Sequence, residues 1–187
     1  MRFNLATTLT LIRIGLIPVL TICFYLPFTG ARIVCAFIFT IAAITDWLDG
    51  YLARKLQQTT AFGAFLDPVA DKLMVAITLV LIVQAEPSPW LALPSAVIIG
   101  REITIASLRE WMAEIGQRKH VEVSWIGKVK TTAQMVAIIV LLLAFDVTFI
   151  PLSGLGYVAL YVSAILTLWS MVNYLRAALP SLIDSEK

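Results

Sequence analysis

Four aspartates combine a residue type and a spacing that could do chemistry. Asp46 and Asp49 lie within Asp46-Trp47-Leu48-Asp49-Gly50-Tyr51-Leu52-Ala53-Arg54, and Asp67 and Asp71 within Gly63-Ala64-Phe65-Leu66-Asp67-Pro68-Val69-Ala70-Asp71. On a helix, the i, i+3 spacing of the first pair and the i, i+4 spacing of the second put each pair on one face. Carboxylates gathered in this way repel one another, and the neighbouring Arg54, Lys55 and Lys72 are not expected to neutralise all four at close range. Divalent cations would. Oxygen-only ligands with no His or Cys nearby favour Mg²⁺, Mn²⁺ or Ca²⁺ over zinc, and two such ions suit displacement at a phosphorus centre. Gly50 lets the backbone approach a bulky ligand, and Arg54, one turn further on, can pair with phosphate.

The elements that must position these groups are membrane helices. Of the 187 residues, 60% are hydrophobic and only 14% charged, and the mean hydropathy is +0.91. This excludes an ordinary water-soluble domain. A helical span needs about 20 mainly apolar residues, and apolar stretches near residues 5–26, 31–49, 68–85, 90–111, 130–146 and 154–175 give six of them. The continuous runs lack the short alternating segments of a lipid-exposed barrel. The expected fold is therefore an all-α polytopic bundle of six transmembrane helices, a single domain over residues 1–187. The N-terminal apolar run has no small-residue cleavage site and reads as a retained first span.

Six spans place both termini on one side of the bilayer. With that side cytoplasmic, every Lys and Arg except Arg32 falls on cytoplasmic segments or the cytoplasmic halves of spans, as the positive-inside rule requires. The net charge of +2 becomes informative only when its members are sorted in this way. The carboxylates then lie at the cytoplasmic end of the second and third spans, where ionisable groups need a polar cavity and partners. A cation transporter would carry an acidic relay through the outer halves of the spans as well, and the sequence shows no such relay there. Cys23 and Cys35 sit in apolar runs as small buried residues. His120 belongs to a basic, solvated loop with Arg118 and Lys119, and Trp125, Phe145, Tyr161 and Trp169 read as packing or interfacial residues.

The pattern formed by Asp46, Asp49, Gly50, Ala53, Arg54, Gly63, Asp67 and Asp71 resembles the signature of the CDP-alcohol phosphotransferases, with no departure. The resemblance runs along the chain, through Phe3-Asn4-Leu5-Ala6-Thr7 with Arg13, Arg101-Glu102, Arg109-Glu110-Trp111 and Ser124-Trp125-Ile126-Gly127-Lys128-Val129-Lys130-Thr131. These segments are similar to the bacterial members that make phosphatidylglycerol phosphate. The resemblance implies a homodimeric inner-membrane enzyme with its site facing the cytoplasm and no nucleic-acid partner. CDP-diacylglycerol and sn-glycerol 3-phosphate would give phosphatidylglycerol phosphate and CMP.

By the same resemblance, Asp46, Asp49, Asp67 and Asp71 would hold two Mg²⁺ or Mn²⁺ ions, with Asp71 also the general base. Gly50, Arg54, Thr60, Asn4 and Thr7 would receive CDP-diacylglycerol. The acceptor's own phosphate calls for fixed cations, for which Arg101, Arg109 and Lys128 are the candidates: the two arginines are eight residues apart and broadly on one side of a helix, and arginine can grip phosphate in a bidentate manner. These cations favour a phosphorylated acceptor over serine or an amino alcohol. Inositol phosphate and, in cardiolipin synthesis, phosphatidylglycerol remain alternatives that only the resemblance argues against.

Overall fold

A computed structural model describes residues 5–56, 61–114, 125–144 and 152–184, and of residues 5, 6, 47, 49–56, 61, 64, 125–129, 152 and 177–184 it describes the backbone path alone. Its elements are six helices: α1 Leu5–Tyr25, α2 Ala31–Leu56, α3 Ala61–Ala85, α4 Pro89–Glu114, α5 Trp125–Ala144 and α6 Leu152–Asp184. The all-helical expectation holds, with no strand among the described residues. Three helices contain stretches long and apolar enough to cross a membrane, Thr7–Tyr25, Pro89–Glu114 and Ser153–Arg176, and Lys130–Ala144 forms a shorter apolar helix.

Local chemistry sets the helix ends. Pro27 follows α1, and Gly30, at φ +92°, takes the left-handed conformation that restarts the chain as α2. Ser88 caps α4: its Oγ accepts a hydrogen bond from the Trp90 amide at 3.3 Å, and Pro89 fills the first helical position, where no amide donor is needed. The largest departure from the expected boundaries lies around the carboxylates. α2 continues past Asp49 through Arg54 to Leu56, and α3 begins at Ala61 instead of Pro68. Proline removes one helical hydrogen bond and disfavours helix before it, but Pro68 is accommodated inside α3. Asp67 is therefore fixed by a helix on both sides.

Packing brings α1 against α2 and α3, α4 and α5 against α6, and α2 against α5. The apolar core runs through Leu20, Phe39, Leu79, Ile98, Leu141 and Leu160. Gly156 lets α6 pack closely on α5: a Cβ there would stand 2.7 Å from Leu141 Cδ2. Large apolar side chains such as Ile22, Phe37, Phe65, Leu93, Ile165 and Trp169 point outward, whereas Arg13, Thr78, Lys130, Gln134, Ser163 and Thr167 are buried. Polar inside and apolar outside is the arrangement a lipid solvent selects.

Candidate active site

One stripe of α1 is polar where it meets α2 and α3. Thr7, Thr10 and Arg13 are all buried, in register with the apolar Ile17 and Leu20 further along the same face. Arg13 is 1% exposed; its Nη1 donates to Asp46 Oδ1 at 2.7 Å and lies 3.5 Å from Asp67 Oδ1. Thr10 Oγ1 donates to the same Asp67 oxygen at 3.2 Å. Carboxylates from two helices thus converge on one guanidinium nitrogen. Asp71, one turn along α3 from Asp67, is within electrostatic reach of Asp46, Asp67 and Arg13, and also of Glu102. The expected meeting of the α2 and α3 carboxylates is present for Asp46 and Asp67, which share the Arg13 guanidinium.

Arg13 is the counter-charge that sequence reasoning missed, having looked only to Arg54, Lys55 and Lys72. Arg13 is more than thirty residues from Asp46 in sequence and counts there among the cytoplasmic cations, although its share in the Thr7, Thr10, Ile17, Leu20 stripe marks it as inward-facing. Three carboxylates against one guanidinium still leave a formal negative excess. That excess, and the oxygen-only chemistry of Asp46, Asp67 and Asp71, fit hard divalent cations. No three His, Cys, Asp or Glu groups among the described residues are close enough to hold one ion by themselves. The side chains of Asp49, Gly50 and Arg54 lie outside the described residues, as do Thr60, Asn4 and His120.

A second charged cluster joins α4, α5 and α6. Glu102 Oε1 accepts from Arg101 Nη1 at 2.8 Å and from Lys130 Nζ at 2.6 Å. Arg101 Nη2 donates to Ser170 Oγ at 3.0 Å, and its guanidinium lies 5.9 Å from the centre of the Tyr174 ring. Lys130 and Asp71 are within electrostatic reach of each other, so the two clusters adjoin. Arg101, expected to receive the acceptor phosphate, is inside this cluster. Arg109 is not: it is exposed, because eight residues rotate a helix by about 80° beyond two full turns. The Lys128 side chain lies outside the described residues, and the lysine that the fold carries into the interior is Lys130, 2% exposed. A signal for it was available in the stripe Lys130, Gln134, Ala137 and Leu141, all of them buried.

At the other end of the bundle, Tyr157 donates to Glu86 Oε1 at 3.0 Å, Tyr25 donates to Gln84, and Arg32 stacks over Phe24 at 5.6 Å. These contacts tie α1, α3 and α6 together away from the carboxylates.

Oxygen donors and buried cations gather at one end of an apolar helical bundle, and the chain belongs to the CDP-alcohol phosphatidyltransferase family, whose model matches residues 3–169. Its relatives include proteins called CDP-diacylglycerol--glycerol-3-phosphate 3-phosphatidyltransferase. Those of Pectobacterium atrosepticum and Sodalis glossinidius are 56% and 57% identical to it over 184 residues, 98% of this chain and the whole of theirs. The Yersinia enterocolitica relative is 57% identical over the same share of both chains.

Proposed function

We propose that this chain transfers a phosphatidyl group from CDP-diacylglycerol to sn-glycerol 3-phosphate, releasing CMP. The observation that carries the reading is full-length identity of 56% to relatives bearing that name. The adjoining clusters on α1–α3 and α4–α6 supply a chemical basis for it. A six-span, single-domain homodimer in a bacterial inner membrane, with both termini and the site cytoplasmic, completes the proposal, because one substrate is a lipid and the other a soluble dianion.

The reaction forms a bond between the acceptor hydroxyl oxygen and the β-phosphorus of CDP-diacylglycerol and breaks the pyrophosphate bond to CMP. Asp71 takes the hydroxyl proton; its electrostatic reach to Arg13 in one cluster and to Lys130 in the other supports that assignment. Mg²⁺ or Mn²⁺ ions, when bound to Asp46, Asp49, Asp67 and Asp71, would neutralise pyrophosphate charge and polarise the phosphorus. Arg13 and Thr10 hold the Asp46 and Asp67 carboxylates in a fixed relation. Gly50, Arg54, Thr60, Asn4 and Thr7 are assigned to the CDP end. Lys130 and Arg101 take the acceptor phosphate, with Glu102 aligning both.

The test is CMP release by purified protein from CDP-diacylglycerol with sn-glycerol 3-phosphate, inositol phosphate, serine or phosphatidylglycerol. The expected result is release with glycerol 3-phosphate that stops on chelation and returns with Mg²⁺ or Mn²⁺. Release with inositol phosphate alone would overturn the acceptor, and release that survives chelation would remove the ions.

A further inference from the structure

Hydroxyl side chains in these helices ordinarily bond back to their own backbone. Thr21, Thr40, Thr78, Ser95 and Thr104 each donate to the carbonyl four residues earlier, at 2.7–3.0 Å. Ser163 and Thr167 on α6 do not. Both are completely buried, and neither hydroxyl has a hydrogen-bond partner; on α5 the Gln134 carbonyl oxygen is likewise buried and unpartnered. An unsatisfied polar atom in an apolar interior costs about 1–3 kcal/mol, so these three need a partner that the described residues do not supply.

Helix register shows that they are in one place. Gly156 of α6 meets Leu141 of α5. Lys130 lies eleven residues back along α5 from that contact and Thr167 eleven residues on along α6, which levels them in an antiparallel pair; seven residues in each direction level Gln134 with Ser163. Ser163, Thr167 and Ser170 share one face of α6 through i, i+4, i+7 spacing, and Ser170 reaches Arg101. The unpartnered atoms therefore begin level with Lys130 of the Lys130–Glu102–Arg101 cluster and continue about one turn deeper. Glu102, which keeps 21% of its side chain exposed, stands at the cytoplasmic side of this layer.

Resting on the proposed reaction, we infer that Gln134, Thr167 and Ser163 form a hydroxyl-recognition subsite for the carbon chain of the acceptor. The acceptor's phosphate sits on Lys130 and Arg101, and its non-reacting secondary hydroxyl bonds to these three atoms. A carbonyl oxygen beside two hydroxyls suits a ligand group that both donates and accepts, which an alcohol does and a hydrocarbon does not. The layer makes the enzyme select a polyol phosphate over a phosphate of equal length that lacks the secondary hydroxyl.

The experiment compares sn-glycerol 3-phosphate with 3-hydroxypropyl phosphate, which keeps the reacting hydroxyl and the phosphate. Wild-type protein is expected to favour glycerol 3-phosphate at least about tenfold in kcat/KM, since a missing hydroxyl strands buried polar atoms. Thr167→Val, nearly isosteric, and Gln134→Met should each shrink that preference to about twofold without moving the KM for CDP-diacylglycerol. Thr167→Ser should restore it. A preference that survives both Thr167→Val and Gln134→Met, or a wild type indifferent to the two acceptors, overturns the subsite, whatever the thermal stability of the variants does. A wild type that uses neither acceptor overturns instead the reading on which the subsite rests.

Discussion

Arg13 shows how a single side chain can organise a site from outside its motif. Its guanidinium bridges Asp46 and Asp67, which belong to different helices and would otherwise repel. Both carboxylates are more than a third exposed, so water screens part of the interaction. Arg13→Gln should cost about 1–3 kcal/mol of stability, measured by thermal unfolding in detergent, and lower kcat on the order of a hundredfold because the two carboxylates lose their fixed relation. A variant with unaltered turnover would leave Arg13 as a packing residue. The two candidate acceptor cations on α4 and α5 separate as sharply. Lys130→Met should raise the KM for glycerol 3-phosphate by about tenfold or more, the loss of one charge-assisted contact, whereas exposed Arg109→Ala should change it by less than about twofold. The reverse pattern in steady-state kinetics would return the phosphate to Arg109. The aspartates were legible because four like charges in an apolar chain demand an explanation. Arg13 and Lys130 were not, because their partners are remote in sequence and only packing reveals which face of each helix turns inward.

The helices differ in how much of their position the sequence declares. Hydropathy locates all six, but the ends of α2 and α3 were set too short, at residue 49 and residue 68. Charged residues end an apolar run without ending a helix, and Pro68 was given the weight of a boundary although α3 absorbs it. Those extra turns matter, since they hold Asp67 and continue α2 through Arg54 in regular helix. The α5–α6 contact is less visible still. It depends on one missing side chain, Gly156, whose Cβ would stand 2.7 and 2.9 Å from Leu141 side-chain atoms. Gly156→Ala should therefore push Leu141 aside and destabilise the bundle by about 1–3 kcal/mol, the usual cost of overpacking. Because this contact sets the register of Lys130, activity should fall with it. Leu141→Ala in the same chain should recover both thermal stability and turnover in part; a double variant no better than the single one would mean that Leu141 is not what Gly156 accommodates.

For the whole molecule, polar and apolar groups are sorted along two directions. Across the bundle, buried ionised side chains are ringed by outward-facing Ile, Leu, Phe and Trp. Along it, the Asp46, Asp67, Asp71 and Glu102 clusters gather at one end, and the Glu86–Tyr157 and Tyr25–Gln84 contacts tie the other. The link between α3 and α4, Glu86-Pro87-Ser88, carries no cation, whereas Arg54 and Lys55 close α2 at the opposite end. On the orientation proposed above from the positive-inside rule, the carboxylate end faces the cytoplasm, where a soluble glycerol phosphate is available without crossing the lipid. In a background of Cys23→Ser and Cys35→Ala, a Pro87→Cys variant should react with a membrane-impermeant maleimide in cells whose outer barrier alone is opened. A Lys187→Cys variant should react only once the inner membrane is permeabilised. Labelling of both in intact inner membranes would mean an odd number of spans, and labelling of Lys187→Cys alone would invert the molecule and turn the carboxylate end away from the cytoplasm.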